Sequence, residues 1–181
     1  MTQGEVAVHT LGPSGTNCEA AAKYWLKEQH SGKGRVILHP TLEQAVPAVL
    51  KEPTRSILLG CVVYPKLHEI VFQNLRSMAL RECFMMPTHP MILAAPQQRA
   101  EIRTVLTHPA PVNLLDGRDV SIELASSNAA AAAGCAQGQS DACITTRPAA
   151  EAHGLVVIED FGPVSMGFSI HVPYETEVLA V

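Results

Sequence analysis

Three short polar segments carry most of the residues that could do chemistry in this chain. They are Leu11-Gly12-Pro13-Ser14-Gly15-Thr16-Asn17, Thr107-His108-Pro109-Ala110-Pro111-Val112-Asn113 and Ala125-Ser126-Ser127-Asn128-Ala129-Ala130. Each follows a strand-like run and leads into a helical pattern. A helix start presents unpaired backbone N–H groups and the positive end of the helix dipole, and both favour an anion. Three such turns around one cleft would suit a small molecule with two or more carboxylates. The candidate binding residues are therefore Gly12, Pro13, Ser14, Gly15 and Thr16, then Thr107 and Asn113, then Ser126, Ser127 and Asn128. Gly12 and Gly15 would let the backbone come close to a ligand, while Ser14 and Thr16 offer hydroxyls. His108 could hydrogen-bond the ligand or orient its own loop through the ring nitrogens. The same Ser, Thr and Asn residues also serve as ordinary helix caps. GPSGT lacks the Gly-Lys-Ser/Thr ending of a P-loop and is not a GxGxxG fingerprint.

The elements that must position these turns alternate along the chain. Residues 5–11, 35–39, 56–64, 76–86, 90–95, 103–107, 119–125 and 141–146 read as strands, and LVVIEDF and SMGFSIHV close the chain as two more. The continuous apolar run 56–64 predicts a strand buried on both faces, and one of the strands at 76–86 and 90–95 is expected at an edge. Residues 17–29 predict a helix capped by Thr16 or Asn17. A second helix follows Thr41, with Leu42, Ala45, Val46, Val49 and Leu50 on its apolar side and Pro47 kinking it or delaying its start. VNLL, the Ala-rich run after Asn128 and RPAAEAHG, which stops at Gly154, complete the helices. This βαβ alternation predicts an α/β fold of parallel sheets covered by helices, in which ligands sit beyond the carboxyl ends of the strands.

Composition narrows the function classes. A net charge of −4 with no Lys/Arg cluster argues against nucleic acid as a partner. No apolar run is long enough to span a membrane. The opening MTQGEVAVHT lacks the basic and apolar regions of a signal peptide. The five cysteines are odd in number and form no CxxC, which predicts mostly buried, reduced thiols and a cytoplasmic protein. The eight histidines form no HxH or HxxxH pair, so no metal site is expected. His9, His39 and His89 lie near strand ends and read as structural.

In their order and spacing, LGPSGTNCEAAAKYW, THPAPVNLL and SSNAAAAAGCAQGQSDACITTRPAAEAHGLVVIEDF resemble the prephenate dehydratase family, from about residue 6 to residue 170. The resemblance implies two α/β lobes of the type II periplasmic-binding-protein kind, with the substrate between them. Lobe 1 would comprise about residues 1–86 plus 160–181, and lobe 2 about 87–159. The regulatory ACT domain common in dehydratases has no counterpart in these residues. A homodimer is a possible assembly by the same resemblance.

Two departures from the family pattern bear on the reaction. Dehydratases carry Thr-Arg-Phe near the end of the catalytic domain, and this chain has Ser165-Met166-Gly167-Phe168-Ser169 there. Their Glu-Asn-Ser segment is replaced by Val63-Tyr64-Pro65-Lys66-Leu67-His68-Glu69. Both departures resemble the decarboxylase branch of the family, which serves bacilysin (anticapsin) synthesis and makes dihydro-4-hydroxyphenylpyruvate from prephenate. A dehydratase needs a donor at the departing hydroxyl. Decarboxylation without aromatisation needs instead a proton delivered to a ring carbon as the C–CO₂ bond breaks, and requires no metal or organic cofactor in principle. The resemblance implies His108, Ser165, Tyr64 and His68 as candidate catalytic residues, Met166 as a binding residue, and Lys66 and Arg147 as counter-ions. Two other readings stand beside it: a dehydratase with the hydroxyl activated by Ser165 or His68, and a carboxylate-binding sensor without chemistry.

Overall fold

The computed structural model describes residues 5–98 and 101–176. These divide into two compact units. One contains the residues before Pro87 and those from Ser165 onward, and the other contains Pro87–Val164.

In the first unit, strands β1 (Ala7–Leu11), β2 (Arg35–His39), β3 (Ser56–Cys61), β4 (Met78–Pro87) and β10 (Ser165–Pro173) form one sheet in the order β2-β1-β3-β10-β4. β1 lies parallel to β2 and β3, and β10 runs antiparallel to β3. Helix α1 (Asn17–His30) follows β1, α2 (Leu42–Lys51) follows β2, and α3 (Leu67–Gln73) follows β3. α1 buries Cys18, Ala21, Ala22, Trp25 and Leu26 against Val8, Ile57, Leu59, Phe168 and Ile170. Its apolar positions recur at helical spacing, so one stripe faces the sheet. The Trp25 indole N–H donates to Glu82 Oε1 at 2.6 Å, which satisfies the one polar atom that side chain buries. α2 and α3 pack Leu42, Ala45, Val46, Val49 and Ile70 with Leu58 and Met78.

The second unit holds β5 (Met91–Ala95), β6 (Thr104–Thr107), β7 (Ser121–Leu124), β8 (Ala142–Thr146) and β9 (Val156–Gly162), ordered β7-β6-β8-β5-β9. β6, β7 and β8 are parallel, and β5 is antiparallel to β8 and β9. Helices α4 (Asn128–Ala136) and α5 (Arg147–Ala152) bury Ala131, Ala132, Cys135, Ala149 and Ala150 against Ile92, Ala94, Leu106 and Cys143. The Ala-rich run is thus an ordinary helix whose small side chains permit close approach to the sheet.

Several sequence expectations are corrected. The sheets are mixed rather than parallel, because one strand of each reverses direction. The strand expected over 56–64 ends at Cys61, and Val62 and Val63 are exposed in a turn. α3 was not anticipated; only Ile70 of its seven residues is buried, so its apolar pattern is too short to read. VNLL (Val112–Leu115) is a 3₁₀ turn. α2 begins directly after its Thr41 cap and continues through the exposed Pro47. β7 is an edge strand with four exposed residues rather than an alternating one. Of the strands at 76–86 and 90–95, β4 is the expected edge strand, ending the first sheet, and β5 is interior. All five cysteines are free, with Cys18, Cys135 and Cys143 buried and Cys83 exposed.

Gly34 links α1 to β2 at φ +147°, and a Cβ there would stand 2.6 Å from Leu26 Cδ2 and 2.7 Å from Val6 O. Gly32 also has positive φ, +75°, but faces open space. Gly34→Ala is expected to cost about 1–3 kcal/mol in urea unfolding and more than Gly32→Ala. Equal losses would mean that backbone conformation, and not the close approach to Val6, sets the requirement.

Candidate active site

The candidate residues lie at the carboxyl edges of the parallel strands. In the first unit the turn Gly12–Thr16 leaves β1, Tyr64 follows β3, and β10 begins at the same edge with Ser165 and Met166, because it runs antiparallel to β3 with Phe168 opposite Cys61. His68 is exposed in the first turn of α3, which follows β3. In the second unit Thr107 and His108 end β6, Ser126, Ser127 and Asn128 join β7 to α4, and Asn113 is exposed on the 3₁₀ turn.

The first turn cradles a carboxylate, and it is the protein's own. Glu19 Oε2 accepts from the Gly15 N–H at 2.6 Å and the Ser14 hydroxyl at 2.8 Å, while Oε1 takes Lys23 Nζ at 2.6 Å. Thr16 Oγ1 accepts the Glu19 N–H at 3.4 Å and donates to Leu11 O at 3.3 Å. The hydroxyls of Ser14 and Thr16 are therefore engaged within the turn, contrary to the expectation that they offer themselves outward. Gly15 adopts φ +85°, which explains its glycine. A Cβ at Gly12 would stand 3.2 Å from Leu38 Cβ, so a side chain there would have to push Leu38 aside. Residues Thr16-Asn17-Cys18-Glu19 have the Thr-x-x-Glu pattern of a capping box, a signal that would have pointed to Glu19.

The other edge groups differ in what they can do. The Tyr64 hydroxyl donates to Glu43 Oε2 at 2.7 Å. Burial and that carboxylate push the phenol up to about 12, so it is a poor proton source near neutrality. Ser165 is exposed, and Met166 packs on the α1 side of the core. At Gly167 a Cβ would stand 3.0 Å from Val62 Cγ2, so Val62 fills the room of a side chain there. Segment 165–167 therefore carries no ionisable group. Lys66 is exposed beside α3, and the Arg147 guanidinium is held by Asp160 at 2.5 Å.

In the second unit His108 Nδ1 accepts the Ala110 N–H at 3.1 Å, so the neutral ring carries its proton on Nε2. Burial holds this imidazole below the ordinary 6.5. At neutral pH it is a hydrogen-bond donor through Nε2. The Thr107 hydroxyl donates to His108 O at 3.0 Å. Ser127 caps α4 by accepting the Ala130 N–H at 3.0 Å. THPAPVN thus opens no α-helix, which removes one of the three helix starts expected from sequence. His9 and His39 stack, with Nδ1 and Nε2 2.9 Å apart, and burial followed by His39 lowers His9 to about 4. They are a neutral structural pair. Among the described residues, no group of three His, Cys, Asp or Glu side chains could hold a metal, and no helix is long and apolar enough to cross a membrane.

Glu19 supplies a pH-dependent test. Burial alone would raise its carboxyl pKa, but Lys23, the Gly15 N–H and the Ser14 hydroxyl outweigh burial and hold it below the ordinary 4.5. A lowered folded-state pKa gives stability that is present above the unfolded value and lost as pH falls through the folded one. Urea midpoints of the wild type and Glu19→Gln should therefore differ at pH 7 and converge in acid, below about 4.5. A gap of the same size at both ends would refute the charge as the source.

Comparison with known proteins agrees with this architecture. The sequence profile of the prephenate dehydratase family matches residues 8–161. A prephenate decarboxylase of Bacillus subtilis (strain 168) is 27% identical over 178 residues, 91% of this chain and 85% of that protein. A prephenate decarboxylase of Planktothrix agardhii (strain NIVA-CYA 126/8) is 27% identical over 177 residues, 90% of this chain and 86% of its own. The crystal structure of prephenate dehydratase from Arthrobacter aurescens in complex with L-Phe superposes with a TM-score of 0.68 at 19% identity, over 93% of this chain and 60% of that one. The periplasmic VFT2 domain of BvgS from Bordetella pertussis gives 0.55 at 16% identity, over 96% of this chain and 83% of that domain. The fold is thus shared with periplasmic-binding-like domains, and the chain belongs to the prephenate dehydratase family.

Proposed function

We propose that this protein is a prephenate decarboxylase that removes carbon dioxide and leaves the ring hydroxyl in place, giving dihydro-4-hydroxyphenylpyruvate. The observation that carries the reading is the start of β10. Where dehydratases have Thr-Arg-Phe, this chain has Ser165-Met166-Gly167-Phe168-Ser169, with Val62 packed onto Gly167. No acid stands there to help a hydroxyl leave. Likeness to prephenate decarboxylases over 91% of the chain supports the same conclusion.

The chemistry follows from electron flow. As the ring C1–CO₂ bond breaks, its electron pair forms C1=C2 and displaces the old C2=C3 pair onto C3. A proton at C3 then retains the hydroxyl, whereas expulsion of hydroxide from C4 makes the ring aromatic. Protonation wins where the hydroxyl lacks a donor and a proton source faces C3. The α4 start, with Ser126 and Ser127, suits the pyruvyl carboxylate through the helix dipole. His108, donating through Nε2, suits a second acceptor of the substrate. Action in the cytoplasm, a homodimeric assembly and a place in bacilysin-type antibiotic synthesis are finer parts of the same proposal. They rest on the family resemblance.

Proton NMR of the product from fresh prephenate, against a blank without enzyme, tests the reading. Vinyl and ring CH₂ signals with a retained carbinol proton are expected. Phenylpyruvate above the blank would establish dehydratase chemistry instead, and unchanged prephenate would leave a binding protein of this fold.

A further inference from the structure

The carboxyl edge of the second sheet contains two buried polar atoms that find no hydrogen-bond partner among the described residues: Asn128 Oδ1 and Thr146 Oγ1. A buried polar atom without a partner destabilises a fold, so most are paired. Thr146 is 1% exposed. It occupies the N-cap position of α5, where a threonine hydroxyl ordinarily accepts a backbone N–H, yet it makes no capping bond. Pro148 in the first turn takes away one of the N–H groups that a cap would serve. The hydroxyl therefore has no hydrogen-bond partner among the described residues.

Asn128 begins α4 and is tied to the same end of β8. Thr145, the preceding residue of β8, donates its hydroxyl to Asn128 O at 2.7 Å and ties the start of α4 to the end of β8. The Asn128 amide nitrogen is 4.0 Å from Met91 Sδ, and Met91 is the β5 residue opposite Thr146. With the nitrogen directed at the thioether, the oxygen is the unpaired atom. An amide oxygen can only accept, so whatever pairs with it must bring a hydrogen.

We infer that Asn128 Oδ1, supported by Thr146, receives the ring hydroxyl of the substrate and keeps it from leaving. The inference rests on the decarboxylase reading above. Of the polar groups of prephenate, the two carboxylates and the ketone accept hydrogen bonds at neutral pH, and the ring hydroxyl alone donates one. A carboxylate would be repelled by this oxygen. Accepting the hydroxyl proton raises electron density on the C4 oxygen and makes it a worse leaving group. A dehydratase does the opposite by donating to that oxygen. Thr146 Oγ1 bonds to the same substrate at an atom other than the C4 oxygen, so no donor reaches the hydroxyl. Met91, flexible and polarisable, is the side chain that yields as the ring enters.

The test uses the intact chain with prephenate as the probe. Thr146→Val keeps the shape and removes the orphan hydroxyl, so the variant should melt at a higher temperature while KM rises about tenfold. Asn128→Ala should raise the phenylpyruvate share of the product about tenfold over wild type, and Asn128→Asp, which restores an acceptor, should bring that share back down. If the wild type forms the dihydro product but both Thr146→Val and Asn128→Ala leave KM and product ratio unchanged, the two atoms do not meet the substrate and this inference is overturned alone. A wild type that leaves prephenate intact overturns the decarboxylase reading, and this inference with it. Melting curves of all three variants separate a lost contact from a lost fold.

Discussion

The pairing of polar groups where a parallel strand hands over to a helix governs both units of this protein. A strand end and a helix start together leave several N–H and C=O groups without regular partners, and burial makes each one costly. The turn after β1 meets this demand with Glu19, which holds Ser14, Gly15 and Lys23 at once. Thr10 pairs with Leu59 O across to β3, and Ser127 caps α4. Among the described residues, four buried side-chain atoms have no partner: His30 Nε2, Ser56 Oγ, Asn128 Oδ1 at the start of α4 and Thr146 Oγ1 at the end of β8.

Positions that could have held charge at the strand edges are instead neutral or internally paired. Tyr64 is tied to Glu43, Arg147 to Asp160 and Glu19 to Lys23. The imidazole of His108 is held neutral by burial and oriented by Ala110. Strand edges with few free acids suit a reaction in which the substrate's carboxylate provides the driving electron pair. They do not suit one that must protonate a leaving hydroxyl.

Much of the architecture was legible because it depends on local pattern. Thr16 and Thr41 as caps, the Ala-rich α4 and the buried run of β3 all follow from residue type and period. α3 escaped because it is one short helix with a single buried residue, and Val62–Tyr64 looked like strand because apolar residues can also line a turn. The reversal of β10 and β5 was illegible because pairing direction is a choice between distant segments that leaves no mark on either strand alone.

The sequence by itself determined the family, the alternation of elements and the three polar turns, since these rest on adjacent residues and fixed spacing. It could not determine what each polar atom touches. Whether Ser14 faces a ligand or Glu19, whether Thr146 caps its helix, and which end of the Asn128 amide is left unpaired are questions of placement to within an ångström. Only tertiary structure decides them, because burial and hydrogen-bond geometry belong to the packed arrangement of segments far apart in the chain.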